Sequence, residues 1–413
     1  MARTQRTRSA RAVANDSAIR DAAVKEVLRV GVDHVSLRDV GHEAGLTHGA
    51  TYARYEDVDE LLVDLWNAVL CERAVAMFEL CLRAAEDPDA ANVGAIFDFI
   101  RAATPADVAC VQVLLTSRRI PTVHEEVEPF IHTYLERAFD EPSLESAAYT
   151  RGITIFAMTM VQIFADSQFG WDRDYQSVLE KLLLETLETD PRDVDEVKLE
   201  EPVNQIILAP GDDLKTQLAF ATFGVVGKSG YTRATISRIA RRANCSPGAI
   251  YKLFPSKEDL VIAAFNDLMR ARWMKISNFV NVLEEGSITQ LLYGSANHHN
   301  AVRRSFTLET ALAAAQSDKL RVAVLGQLTE LEAVIPLLAN ISDDERNRLR
   351  YLIRSIMFVS IGVTFLSTVT DSLEKLDFNQ FAEPFRRAVL KDGVPTWSVM
   401  VHQLLELKQS RGF

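Results

Sequence analysis

Apolar residues recur along most of the chain at intervals of three and four, the period of a helix with one buried face. Ile19, Ala22, Ala23, Val27 and Val30 form one such stripe. Gly31 follows it, and a glycine just past the last periodic residue predicts a left-handed helix cap. Strand-like alternation is scarce, with 206–208 the one short run left open. Two uncharged apolar runs, 152–165 and 355–370, are 14 and 16 residues long. Both fall short of the ~20 residues of a membrane span, so they predict buried helices. The expected fold class is all-α.

The pattern also repeats, and repetition bears on architecture before any local reading. Residues 19–61 align with 218–260 at a constant offset of 199, without a gap. Eight of the 43 pairs are identical, among them Gly31/Gly230, Ala44/Ala243, Gly49/Gly248 and Tyr52/Tyr251. The same offset carries Arg151 onto Arg350, just ahead of the second long apolar run. Between the halves, 185–202 holds eight acidic residues against Arg192 and Lys198, plus Pro191 and Pro202. That is the composition of a solvated linker.

Within each repeat a second helix opens at Ser36 or Thr235, whose hydroxyl can cap free N–H groups. Gly45 and Asn244 occupy equivalent places after it, and these residue types best tolerate a positive φ. Thr47 or Ser246 supplies the next cap, and Pro247 suits a first helical position. A short helix then runs to about Tyr55 or Phe254. A further helix begins at Asp57 or Ser256, with Glu60 and Asp259 at cap-pair spacing. Helix, tight corner and short helix make a helix-turn-helix, which presents its second helix to the DNA major groove. The expected domains are a first helix-turn-helix at 1–62, a first helical regulatory domain at 63–190 and a linker at 191–211. A second helix-turn-helix at 212–261 and a second helical regulatory domain at 262–413 follow.

The run SPGAIYKLFPSKEDL at 246–260 resembles the DNA-binding signature of the tetracycline-repressor (TetR) family of bacterial transcription regulators. THGATYARYEDVDELL at 47–62 carries the same pattern in weaker form. The resemblance implies a helical ligand-binding domain behind each head, with its last two long helices forming a four-helix dimer interface. Segments 152–165 with 178–187, and 352–369 with 381–389, fit those helices. An ordinary member has one head and works as a dimer. This chain looks like two such subunits in tandem, a single-chain pseudo-dimer with pseudo-twofold symmetry, and a further homodimer stays open.

The two heads differ in charge. Residues 1–61 hold nine Lys and Arg against ten Asp and Glu, while 212–261 hold eight against four. The second therefore has the basic footprint of a DNA reader. In the first, Val58 stands where Lys257 stands in the second, among Glu56, Asp57, Asp59 and Glu60. The arginine-rich tail from Arg3 to Arg11 reads either as a groove-binding arm or as a plain leader. Expected phosphate contacts are Tyr52, Arg54, Tyr251, Lys252 and Lys257. Expected base-edge contacts are Thr47, His48 and Thr51 in one helix and Ser246, Pro247 and Ala249 in the other. Core packing is the competing role for Tyr52 and Tyr251. Because the heads differ at several of these positions, the operator should not be a good palindrome.

Net charge is −12 over 413 residues, so any nucleic-acid site has to be a local basic surface. Four cysteines without CxxC spacing, and a basic N-terminus with no apolar core behind it, point to a cytoplasmic protein. No metal site, cofactor motif or catalytic constellation stands out. His298 and His299 are adjacent and cannot share a helix face, and no phosphate-loop, dinucleotide or nucleophile-elbow run occurs. Trp66, Met77, Phe78, Phe97 and Phe99, with Phe265, Met269, Trp273 and Phe279, could line effector pockets, although core packing is the ordinary role of such residues. The expected function is that of a sequence-specific, DNA-binding, ligand-responsive repressor. Its partners would be a double-stranded operator and a small apolar effector, with no membrane and no cofactor. The rivals are a dimer of chains gripping DNA through their second heads alone, and an all-helical enzyme.

Overall fold

A computed structural model describes residues 10–137, 144–170, 175–194, 197, 213–277, 286–334 and 342–391. The open run at 206–208, the tail up to Arg8 and most of the expected linker lie outside them. The described residues contain no strand. The first half runs through α1 (Ala10–Val30), α2 (Leu37–Glu43), α3 (His48–Tyr52), α4 (Val58–Leu65) and α5 (Cys71–Glu86). It continues with α6 (Ala90–Arg101), α7 (Pro105–Thr116), α8 (Pro121–Phe130), α9 (Leu144–Phe169) and α10 (Gln176–Leu187). The second half has α11 (Leu214–Arg233), α12 (Ile236–Arg242), α13 (Pro247–Leu253), α14 (Lys257–Ser277) and α15 (Ser287–Ala296). Then come α16 (Ala301–Ala314), α17 (Asp318–Val334), α18 (Asp343–Leu366) and α19 (Asn379–Lys391). We call α1–α4 and α11–α13 with the start of α14 the heads, and the remaining helices of each half its body.

Local chemistry sets the helix starts. Ser36 Oγ accepts from the Asp39 N–H at 3.1 Å, and Thr235 Oγ1 accepts from the Arg238 N–H at 3.3 Å. Asp57 and Ser256 cap α4 and α14 in the same way, at 2.9 and 3.1 Å. Such caps satisfy N–H groups that a helix leaves without partners. α1 ends at Gly31, with φ 75° and ψ 159°, and Gly230 takes φ 78° and ψ 159° near the end of α11. The positive φ matches the sequence pattern. The ψ does not belong to a left-handed helical cap, and the chain instead leaves each helix in a mirror-extended conformation open to glycine alone.

Apolar side chains gather in two clusters. One unites the first head (Ile19, Val27, Leu37, Leu61) with the first body and with α15, one side of α16 (Leu308, Ala311), α18 and α19 of the second half. The other unites the second head (Leu218, Val226, Ile250, Leu260) with α14, α16 and α17. Trp66, Met77, Phe78 and Phe97 are fully buried in the first cluster. Phe78 meets Phe156 and Tyr134 edge-on at 5.6 and 5.5 Å, while Phe130 stacks on Tyr134 at 5.2 Å. The aromatics of the first body thus pack on each other. Phe99 is half-buried against the first cluster, and Phe265 and Met269 are buried in the second. The Trp273 side chain and Phe279 lie outside the described residues. Among the described residues no single helix is long and apolar enough to cross a membrane.

The halves meet along α9 and α18, with α10 against α19 beside them. A Cβ added at Gly362 would lie 2.5 Å from the Ala157 carbonyl oxygen, so the two helices touch at main-chain distance. Arg151 is buried at this junction. Its Nε donates to the Gln380 carbonyl at 2.7 Å and its Nη1 to the Leu187 carbonyl at 3.2 Å, linking the end of α10 to the start of α19.

A buried ion cluster marks a second junction. Arg119 closes the 3-10 turn after α7; its Nη1 lies 2.6 Å from Asp33 Oδ1 and its Nε 2.6 Å from Glu309 Oε1 in α16. Burial pushes the Glu309 carboxyl up to about 7, against the pull of the Arg119 guanidinium. An acid whose pKa is higher folded than unfolded favours the folded state while it is protonated. That contribution is whole below its ordinary 4.5 and is lost as pH climbs to about 7. The melting temperature of Glu309→Gln, minus that of the parent, should therefore rise between pH 5 and pH 8. A difference that stays flat over this window would mean that Glu309 titrates as an ordinary carboxyl.

Candidate nucleic-acid interface

Each head turns its corner in the same way. Gly45 has φ 67° and Asn244 has φ 52°. The Leu46 N–H donates to the Gly41 carbonyl at 2.9 Å, and the Cys245 N–H donates to the Ala240 carbonyl at 3.0 Å. These bonds close the preceding helix and reverse the chain, so that α3 and α13 leave at an angle. Both corner residues are exposed, and space around Gly45 is open, so the positive φ alone restricts the residue there.

In the second head, Ser246 Oγ accepts from the Ala249 N–H at 3.2 Å and Pro247 opens α13. Ile250 is fully buried and Phe254 nearly so, which pins one side of α13 to the head's core. The other side is bare. Ser246, Pro247, Gly248 and Lys252 are exposed, Ala249 is half-exposed, and Tyr251 and Leu253 keep 56% and 49% of their surface. Tyr251 therefore faces solvent rather than the core. The same head carries Arg233, Arg238, Arg241 and Arg242 on α11 and α12. Among the described residues none of them, nor Lys252, has a carboxylate within ion-pair distance. Arg238 Nη1 donates to the Arg233 carbonyl at 2.8 Å, and Arg242 lays its guanidinium over Gly224 of α11.

Lys257 takes a different place from the one its position in the motif suggests. Its Nζ donates to the Tyr231 carbonyl at 2.9 Å and sits 3.9 Å from the centre of the Tyr231 ring. Burial lowers its pKa and pushes the Tyr231 phenol up to about 12. The ammonium closes the end of α11 through a carbonyl and a ring face, an internal role in place of the expected phosphate contact.

The first head has the same frame with another surface. Tyr52 keeps 48% of its surface, and Thr47 is exposed at the N-cap of α3, where its hydroxyl makes no cap bond. The His48 side chain lies outside the described residues. Thr51 is fully buried beneath Gly41, whose missing Cβ leaves room for its hydroxyl. A base edge is out of its reach, and packing replaces the expected contact. Arg54 forms an ion pair with the buried Asp16 and donates to the Ala12 carbonyl at 3.2 Å, so its expected phosphate role gives way to anchoring α1. Arg20 holds Asp64 with two bonds of 2.8 Å, and Asp64 also accepts from the Tyr55 hydroxyl at 2.7 Å. Lys25 pairs with Glu43 and Arg29 with Glu26, at 2.8 and 2.6 Å. Four cations of this head thus face carboxylates of the same head, while Arg38 stands exposed.

Residues 221–264, from within α11 into α14, match the family described as bacterial regulatory proteins, tetR family. The chain is 32% identical over 69 residues to the fatty acid metabolism regulator protein of Bacillus subtilis, covering 17% of this chain and 32% of that protein. It is 34% identical over 62 residues to uncharacterized HTH-type transcriptional regulators of Mycobacterium bovis and Mycobacterium tuberculosis, covering 15% of this chain and 31% of each. The chain thus spans about a third of the length of these curated relatives. The second head contains a TetR-type helix-turn-helix domain.

Because the Asn244 side chain is exposed, its substitution tests the backbone alone. Asn244→Val should destabilise the second head by about 1–2 kcal/mol, and Asn244→Gly should leave it nearly unchanged. Thermal melting of both variants checks this, and equal melting temperatures would mean that the corner carries no strain.

Proposed function

We propose that the chain is a transcription regulator in which two TetR-type subunits act in tandem as a single-chain pseudo-dimer. Helices α9, α10, α18 and α19 serve as its internal dimer interface, and the heads read neighbouring, unlike half-sites of one operator. Ser246, Pro247, Ala249, Tyr251 and Lys252 meet DNA from the second head, and Thr47, His48 and Tyr52 from the first. A small apolar effector in a helical body alters the separation of the heads and weakens DNA binding, the behaviour of a repressor. The chain works in the cytoplasm without catalysis, cofactor or membrane. The observation that carries this reading is the bare outer face of α13, in a head whose Arg233, Arg238, Arg241, Arg242 and Lys252 have no carboxylate within ion-pair distance among the described residues. Such a surface releases counterions when it meets the phosphate backbone.

The internally paired cations of the first head favour a second reading, in which two chains associate and grip DNA through their second heads. Selection of bound DNA from a random pool, with the mass of the complex, separates the two. In the single-chain reading an asymmetric site emerges with one chain bound. Lys252→Glu then weakens binding at least about tenfold and reduces the salt slope by about 1, and Arg38→Glu has a smaller effect of the same kind. In the other reading the site is a palindrome, two chains bind it, and Arg38→Glu changes nothing. No enrichment of any sequence would overturn both. Lys257 and Arg54 are poor choices for charge reversal because each has an internal partner.

A further inference from the structure

The two heads touch, and each is seated against the body of the opposite half. A Cβ added at Gly31, at the end of α1, would collide with Nε2 of Gln316. One added at Gly230 would lie 2.8 Å from Arg119 Nη1 and 3.0 Å from Asp33 Oδ2. Between the heads, His34 Nε2 and Thr232 Oγ1 stand 3.4 Å apart. Arg119 is the group that spans this meeting point. It holds Asp33 of the first head and Glu309 of α16, and it lies against the backbone of the second head at Gly230.

Glu309 sits on α16, whose Phe306 side packs with the second head while Leu308 and Ala311 pack in the first cluster. α16 runs along α11, with Phe306 edge-on to Phe223 at 4.8 Å, and a Cβ at Gly227 would lie 3.0 Å from the Val302 carbonyl oxygen. The Tyr231 N–H also points to the Glu309 carboxylate. Solvent reaches 12% of the Arg119 and Asp33 side chains and 5% of that of Glu309. Charges so shielded are weakly screened, and loss of the cation would leave two carboxylates without their shared counter-charge. The neighbouring Arg118–Asp371 pair is about half exposed on both sides, so it holds the halves far less firmly. A cleft of about 30 Å³ lined by the cluster, and bordered by Gln112 and Tyr231, has room for about one water.

We propose that Arg119 is a positioning residue that locks the two heads at one separation and so sets the half-site spacing the chain accepts on DNA. The spacing part rests on the two-headed reading above; the lock itself does not. The variant to use is Arg119→Gln/Glu309→Gln, which removes cation and anion together and so avoids a bare buried carboxylate at Glu309. The first measurement needs no DNA. Nitroxides at Ala53→Cys and Lys252→Cys, in a Cys71→Ala/Cys245→Ala background, report the distance between the heads by pulsed electron paramagnetic resonance.

One narrow distance is expected with Arg119 and Glu309 intact, and a distribution about twice as broad in the double variant. Phe97→Leu, a packing change inside the first body, should lower the melting temperature and leave the distance alone. The second measurement, made without the labels, selects DNA whose two half-sites are separated by spacers of varied length. The native chain should enrich one length, and the double variant several. A folded double variant whose distance distribution stays narrow overturns the lock. A broadened distribution with the same single spacer length upholds the lock and overturns its control of spacing. A broadened distribution with enrichment of isolated half-sites, by native chain and variant alike, upholds the lock and overturns the two-headed reading.

Discussion

The main-chain contact between α9 and α18 at Gly362 governs where the other elements lie. A side chain there would meet the Ala157 carbonyl, so it is the glycine that lets the two helices come together at this point. Short separation lets the flanking apolar residues interlock, and dispersion attraction falls off steeply with any gap. Arg151 then supplies what packing cannot, by satisfying carbonyls at the ends of two helices that belong to different halves. With α10 and α19 held beside this axis, the ends of α7 and α16 border one cleft, and Gly31 and Gly230, at the ends of α1 and α11, settle beside Arg119.

Two heads with one backbone plan carry different electrostatic surfaces. Most ion pairs of the first head are partly exposed, and each adds at most about 1 kcal/mol to stability. Their larger effect is on the field outside the head. A guanidinium already facing a carboxylate has little left to offer a polyanion, so the frame persists while its attraction for phosphate declines. In the second head the arginines of α12 and the lysine of α13 have no such carboxylate beside them among the described residues. The same distinction explains why net charge per head, counted along the sequence, understates the contrast seen in space.

Much of this was legible from residues a few positions apart. Caps at Ser36, Thr235, Asp57 and Ser256, the positive-φ corners at Gly45 and Asn244, and the two long apolar helices all follow from local steric and hydrogen-bonding rules. α9 and α18 begin at residues 144 and 343, the same offset that aligns the heads. The site was less legible. Thr51 was expected on the outer face, yet its counterpart in the repeat is the apolar Ile250, a signal that this position points inward. Arg54 and Lys257 gave no local warning, since their partners Asp16 and Tyr231 lie on the first helix of each head, far back along the chain. The Asp33–Arg119–Glu309 cluster joins three distant segments, and no spacing rule brings such residues together before the fold does.

The segment between Asp193 and Asp213 joins the two sets of bundle helices covalently. Separate polypeptides associating through a comparable four-helix contact would come apart as they were thinned out, by mass action. Here the local concentration of one half around the other is set by the tether and does not fall when the solution is diluted. A scarce protein, present in a few copies, would keep its assembled form.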